Sequence, residues 1–234
     1  MTPSHHTLGN SRPVNPYEDR TPPSLLGSTR RNLKGLIQLI DRLFERHSRL
    51  LILRMDLGYQ EHVAEFISVD DAQMHREHLL GDRRHHAEVF EGLLGYAWSL
   101  EYGDEGAGYH YHLLAFYDGS VRKDDIGIGL AIQHLWSQIT EANGRCYISN
   151  FDKARFELEG ILGIGMIHRD DLGYRKNLVE RVATYLHKKS GVLYMQDAGT
   201  ERAFRTFGKS WMPKPLDPDV PRRGRPPTAS LAAL

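Results

Sequence analysis

Residues 96–117 read YAWSLEYGDEGAGYHYHLLAFY. Two aromatic-rich runs, 96–102 and 109–117, alternate in character and flank Gly103, Asp104, Glu105, Gly106, Ala107 and Gly108. Period-two alternation marks a strand, and a glycine-rich turn between two such runs marks a hairpin. His110 and His112 are two apart on the second strand, so both side chains leave one face, while Tyr109, Tyr111 and Leu113 take the other. Closure through a four-residue loop at 104–107 sets Glu101 directly opposite His110 and on its face.

Outward from the hairpin the periodicities alternate. Leu33, Leu36, Ile37, Ile40, Leu43 and Phe44 fall at helical spacing and predict an amphipathic helix over roughly 29–47. The apolar run Leu50, Leu51, Ile52, Leu53 and Met55, ended by the turn signal at Gly58, reads as a buried central strand. Residues 70–94 carry helix-compatible spacing behind a capping Asp70 or Asp71, with a break near Gly81. After the hairpin come a helix over about 125–142, a strand through 160–168 and a helix over about 175–189. The order β, α, β, β, α, β, α predicts an α+β protein built on a ferredoxin-like split βαβ antiparallel sheet, with an added C-terminal helix that carries Tyr185.

The chain of 234 residues has 30 Lys+Arg against 30 Asp+Glu, and bulk charge alone argues for no partner. Residues 1–24 are rich in Pro, Ser, Thr, Asn and His and read as a disordered leader. Residues 213–234 are Pro-rich and basic and read as an extended tail, which leaves 25–212 for one folded domain. The longest apolar run, 161–167, is far short of a bilayer span, so no membrane partner is expected. A lone Cys146 excludes an internal disulfide and a Cys-based zinc site and suits a reducing cytoplasm.

Two imidazoles and a carboxylate on one strand pair form a three-ligand set that leaves coordination positions open for a substrate oxygen, as a catalytic divalent ion requires. Asp56, at the end of the first strand, is a second candidate for the oxygen ligand. A His-x-His pair is also common in a chain with 13 histidines; His85 and His86 are adjacent on a helix and cannot share a face. On the last helix Tyr185 and Lys188 are three apart and Lys189 is four away, so a phenol and an ammonium share a face. A phenol is a poor nucleophile at neutral pH until a nearby cation favours the phenolate. The alternative is a plain amphipathic stripe of Leu178, Val182 and Tyr185 in which the tyrosine merely packs.

The His-hydrophobic-His strand followed by a helical Tyr-x-x-Lys resembles the HUH endonuclease superfamily of rolling-circle replication initiators and relaxases. The strings RMDLGY at 54–59, YHYHLLAFYDG at 109–119, VATYLHKK at 182–189 and RTFGKS at 205–210 are more closely similar to the YagK/YfjJ-type proteins of prophages and filamentous phages, the inovirus replication-protein-like family. The resemblance implies that His110 and His112, with Glu101 or Asp56 as third ligand, bind Mg²⁺ or Mn²⁺ and that the substrate is single-stranded DNA. It implies that Tyr185 attacks the scissile phosphate to start rolling-circle replication in a bacterial cytoplasm, with host replication proteins as further partners. Lys188, with Lys189 behind it, would neutralise phosphate charge. The chain departs from the HUH pattern in placing Tyr111 between the histidines, and its motif has one tyrosine rather than the pair used by some initiators, which suggests a single-tyrosine enzyme. A non-catalytic DNA-binding regulator of the same ancestry and a zinc-dependent hydrolase using His110, His112 and Glu101 are the alternatives.

The tail segment Pro221, Arg222, Arg223, Gly224, Arg225, Pro226, Pro227 is similar to an AT-hook, in which Arg223 and Arg225 would enter the narrow minor groove of A·T-rich duplex DNA; a solubilising basic tail is the other reading. The zero net charge is an average. Residues 1–174 hold 18 Lys+Arg against 25 Asp+Glu, a net −7, and residues 175–234 hold 12 against 5, a net +7. The cation excess thus falls on the tyrosine helix and the tail, the segments assigned to phosphate.

Overall fold

The computed structural model describes residues 23–81, 83, 85–103, 108–189 and 205–216, without the side chains of 23–29 and 187–189. The tail arginines Arg223 and Arg225, most of the leader, and the side chains of Lys188 and Lys189 lie outside the described residues.

The architecture is α+β. Helix α1 (Pro23–Arg46) leads into β1 (Arg49–Tyr59), and the short helices α2 (Glu61–Ala64), α3 (Val69–Gly81) and α4 (Ala87–Phe90) lead to β2 (Leu93–Gly103). The hairpin strand β3 (Gly108–Asp118), helix α5 (Asp125–Ile139) and strand β4 (Gly144–Ile148) come next. A 3₁₀ turn (Ser149–Asp152), α6 (Lys153–Leu158) and β5 (Gly165–His168) lead to the last helix (Leu172–Lys189), and β6 (Phe207–Lys209) is the last strand among the described residues. The described residues form a sheet of six strands in the order β4-β1-β3-β2-β6, with β5 beside the first half of β1. Every pairing is antiparallel. Strands β1 and β2 therefore point the same way with β3 between them.

The sheet is covered on both faces. Leu36, Leu39, Leu43 and Phe44 of α1 and Leu178, Val182 and Leu186 of the last helix bury against Leu50, Ile52, Ala97, Leu114 and Phe116. On the other face, Val69, Ala72 and Leu79 of α3 and Ile128, Ile132 and Trp136 of α5 pack on Leu57, Trp98, Tyr111 and Leu113. Tyr111 thus belongs to the face opposite the histidines, as period-two alternation requires.

Several boundaries differ from the expected ones, each for a local reason. The strand after α5 is β4, not 160–168; there strand pairing is confined to the last four residues, which form β5. Both lie against β1, β5 on Arg49–Ile52 and β4 on Met55–Tyr59. The polar residues in Gly144–Ile148 hide β4, because it is an edge strand with an exposed face. Helix α3 is capped by Ser68 rather than by Asp70 or Asp71: Asp71 N–H donates to Ser68 Oγ (3.1 Å) and Ser68 N–H donates to Asp71 Oδ2 (3.0 Å), a reciprocal capping box. The break expected near Gly81 is there, between α3 and α4, but the helical stretch stops at Phe90, and Leu93 and Leu94 already belong to β2. Helix α1 begins at Pro23, inside the expected leader, and β1 runs four residues past Met55.

Between its two edge partners β1 has a gap at Leu53–Arg54, and a side chain fills it. Asn150 Oδ1 accepts from Arg54 N–H (3.0 Å) while its Nδ2 donates to the Ile52 carbonyl (2.9 Å), as a paired strand would do. The same Nδ2 donates to buried Asp125 (2.6 Å), which also takes two hydrogen bonds from Lys153 Nζ (2.8 and 2.6 Å). The amide is held in one orientation by α5 and α6 together.

Candidate metal and tyrosine site

The hairpin register pairs Glu101 with His110, Ser99 with His112 and Gly103 with Gly108, the closure expected from the aromatic alternation. Gly108 is the hinge residue. Its φ is +61°, and a Cβ there would stand 2.6 Å from the backbone carbonyl oxygen of Ala64, so only glycine fits. On the other side of β3, Asp56 of β1 pairs with His112. Four potential ligands therefore come from three adjacent strands and share a face.

Their hydrogen bonds separate the roles. His112 Nδ1 is 2.6 Å from Asp56 Oδ1 and its Nε2 is 2.8 Å from Glu101 Oε2. His110 Nδ1 is 3.3 Å from the Gly108 carbonyl and its Nε2 is 3.2 Å from the same Glu101 oxygen. A carbonyl and a carboxylate only accept, so both Nδ1 atoms carry hydrogen and both Nε2 atoms converge on Glu101 Oε2. The three atoms are close enough to share a proton or to hold a cation. One ligand atom from each of Glu101, His110 and His112 lies within 4.8 Å of the others. Asp56 is on the far side of the His112 ring, hydrogen-bonded at Nδ1, and is outside the group of three.

His112 is only 3 % exposed. Burial works to lower its pKa, but the hydrogen bonds and charges of Asp56 and Glu101 outweigh burial and raise it above the ordinary value. The two carboxylates thus favour positive charge at this imidazole. The donor set of two imidazoles and one carboxylate oxygen suits a divalent ion and leaves positions for other ligands.

The last helix brings Tyr185 to this cluster. It is one continuous run, wound as α over Leu172–Asn177 and Thr184–Lys189 and as π, with i→i+5 hydrogen bonds, over Leu178–Ala183. Thr184 Oγ1 donates to the Val179 carbonyl (3.0 Å) across the widened turn. A π turn carries an extra residue, so the residues beyond it are set back by roughly 100° relative to an unbroken α-helix. Leu186, not Tyr185, consequently continues the buried stripe of Leu178 and Val182. Tyr185 turns out of the core, half-buried, with its ring centroid 5.3 Å from that of His112 and nearly perpendicular to it (82°). The alternative stripe, in which Tyr185 packs beside Leu178 and Val182, is not what the helix forms.

The family model of the YagK/YfjJ C-terminal domain matches residues 23–210. The chain belongs to the YagK/YfjJ family. No curated protein and no solved structure matches it significantly. No helix among the described residues of this YagK/YfjJ domain is long and apolar enough to cross a membrane. The residues expected to meet, His110, His112, Glu101, Asp56 and Tyr185, do lie together in it. One neighbour was not anticipated: the guanidinium carbon of Arg54 lies 4.3 Å from the centroid of the Tyr185 ring. The available signal was the Arg-x-Asp spacing of Arg54 and Asp56, which puts both on one face of a strand.

Proposed function

We propose that this domain nicks single-stranded DNA with Tyr185 as nucleophile, beside a divalent ion held by His110, His112 and Glu101, and so starts rolling-circle replication of a phage or prophage element. The observation that carries the reading is the perpendicular contact of the Tyr185 and His112 rings, which puts a phenol at the edge of the ligand set. The strand order β4-β1-β3-β2, with crossover helices after β1 and β3, supports a ferredoxin-like split βαβ core of the HUH type.

The residues divide the work by position. His110, His112 and Glu101 hold the ion, Mg²⁺ or Mn²⁺, and Asp56 keeps His112 Nδ1 protonated so that Nε2 faces inward. When bound, the ion supplies polarisation of a phosphate oxygen. The π winding holds the phenol at the cluster, and the perpendicular His112 ring limits its rotation. Tyr185 Oη forms the new bond to phosphorus as the P–O3′ bond breaks, leaving a 5′ phosphotyrosine and a 3′ hydroxyl. The phenol loses the proton that the 3′ oxygen gains, so no outside redox partner or co-reactant is needed. Lys188 and Lys189, one turn on, and the tail arginines Arg223 and Arg225 extend contact to the DNA backbone and to A·T-rich duplex.

The test is a denaturing gel after incubation with Mn²⁺ and single-stranded oligonucleotides tiled across the DNA around the protein's own gene. A covalent protein–DNA band that disappears in Tyr185→Phe is expected. Binding without any adduct points instead to a regulator, and cleavage that survives Tyr185→Phe points to a zinc-type hydrolase.

A further inference from the structure

We propose that Arg54 is a phosphate-binding residue, its guanidinium fork gripping the phosphodiester that lies against Tyr185; the identity of that phosphate as the scissile one rests on the nicking reading. Arg54 is two residues before Asp56 on β1, so both side chains stand on the site face. Across the sheet Arg54 pairs with Leu114, one inward-facing position along β3 from His112. Its guanidinium carbon lies 4.3 Å from the Tyr185 ring centroid, which stacks its planar fork on the face of that ring.

Two features point to an anion as its ligand. Among the described residues no carboxylate pairs with this guanidinium, and Asp56, the acid on its own strand face, is committed to His112. A half-buried arginine stacked on an aromatic ring keeps its donors in a fixed plane, the geometry that matches two phosphate oxygens at once. The backbone beneath it is fixed as well: its N–H donates to Asn150, which Asp125 holds in turn. A preformed cation of this kind loses little freedom on binding. Arg54 comes from a sheet strand rather than a loop, so its fork sets direction.

The test separates this role from the nicking reading by measuring binding in a protein that cannot form an adduct. In the Tyr185→Phe background, with Mn²⁺ present, fluorescence anisotropy with labelled oligothymidylate reads affinity as a function of salt. Adding Arg54→Ala is expected to weaken binding about tenfold and to reduce the log–log salt slope by about 0.7, one phosphate contact on a single strand. Arg54→Lys is expected to keep the slope and recover only part of the affinity. Arg54→Gln keeps the stem over the ring and loses the charge, so it gives the same slope change even if the alanine variant folds poorly; circular dichroism checks the fold of each. Unchanged affinity and slope in Arg54→Gln overturn the proposal. If the unmodified protein forms no adduct while the slope still depends on Arg54, the nicking reading fails and the phosphate site stands. If the adduct forms at an undiminished rate in Arg54→Gln with an unchanged slope, the reverse holds.

Discussion

Asp56 Oδ1 lies 2.6 Å from His112 Nδ1, on the opposite side of the ring from Glu101 Oε2. The two acids, either of which could have been read as the third ligand, therefore act through different nitrogens of one imidazole. Substitution should distinguish them. Asp56→Asn is expected to weaken Mn²⁺ binding about 10- to 100-fold by loosening the tautomer and orientation of His112. Glu101→Ala removes a donor atom and is expected to cost at least as much. Isothermal titration with Mn²⁺ measures both; an Asp56→Asn affinity equal to that of the unmodified protein would falsify the orienting role.

Gly108 should be irreplaceable in the hairpin. Alanine there combines a positive φ with a Cβ 2.6 Å from the Ala64 carbonyl oxygen. Gly108→Ala is expected to lower stability by about 1–3 kcal/mol in a urea titration and to disturb the Glu101–His110 pairing. A loss below about 0.5 kcal/mol would show that α2 yields without resistance.

The Asn150 amide stands in for a missing stretch of strand. Asn150→Ala leaves the Arg54 N–H and Ile52 carbonyl without these partners and takes one donor from Asp125. The expected cost is about 2–3 kcal/mol. Hydrogen exchange gives the sharper reading, since the Arg54 amide should exchange markedly faster while those of Leu113 and Leu114 keep their protection.

Acid should weaken the fold through His75. Burial pushes its pKa below the ordinary 6.5, and Asp71 pulls it back only in part. In the fold His75 Nδ1 is hydrogen-bonded with the Tyr59 hydroxyl (2.9 Å). The unfolded chain therefore takes up a proton first as pH falls. His75's neutral form costs nothing above about pH 6.5, and stability declines as pH drops from there through the lower folded-state value. His75→Gln removes this titration, so the slope of Tm against pH between about 7 and 5 should flatten. Parallel slopes for the two proteins, measured with EDTA present, would count against it. His112 has the opposite sign, its contribution being full below its unfolded value and lost as pH rises through the raised one.

The hairpin was legible because aromatic alternation and a glycine-rich turn fix register, and register alone puts Glu101 opposite His110. That is why three candidate ligands on two adjacent strands could be read together. The hydrogen bond of Asp56 to His112 Nδ1 is not legible locally, because it depends on β1 lying beside β3, a long-range pairing without a local signature. Strand β4 escaped because an exposed edge strand carries polar residues such as Arg145 and needs no apolar run. Arg54 escaped for the same reason as Asp56: its partner, Tyr185, is on a helix far along the chain.

The π turn makes the last helix sensitive to length rather than to composition. Because one residue is absorbed between Leu178 and Thr184, the distance from the core anchor to the phenol is counted in turns and not in residues. Deleting exposed Glu180 would allow plain α winding with Tyr185 and Leu186 keeping their present directions. Forcing α winding without that deletion would swing Leu186 toward solvent and Tyr185 into the core. Insertions and deletions in this one helix are thus changes to the site, even where no inserted or deleted residue touches it.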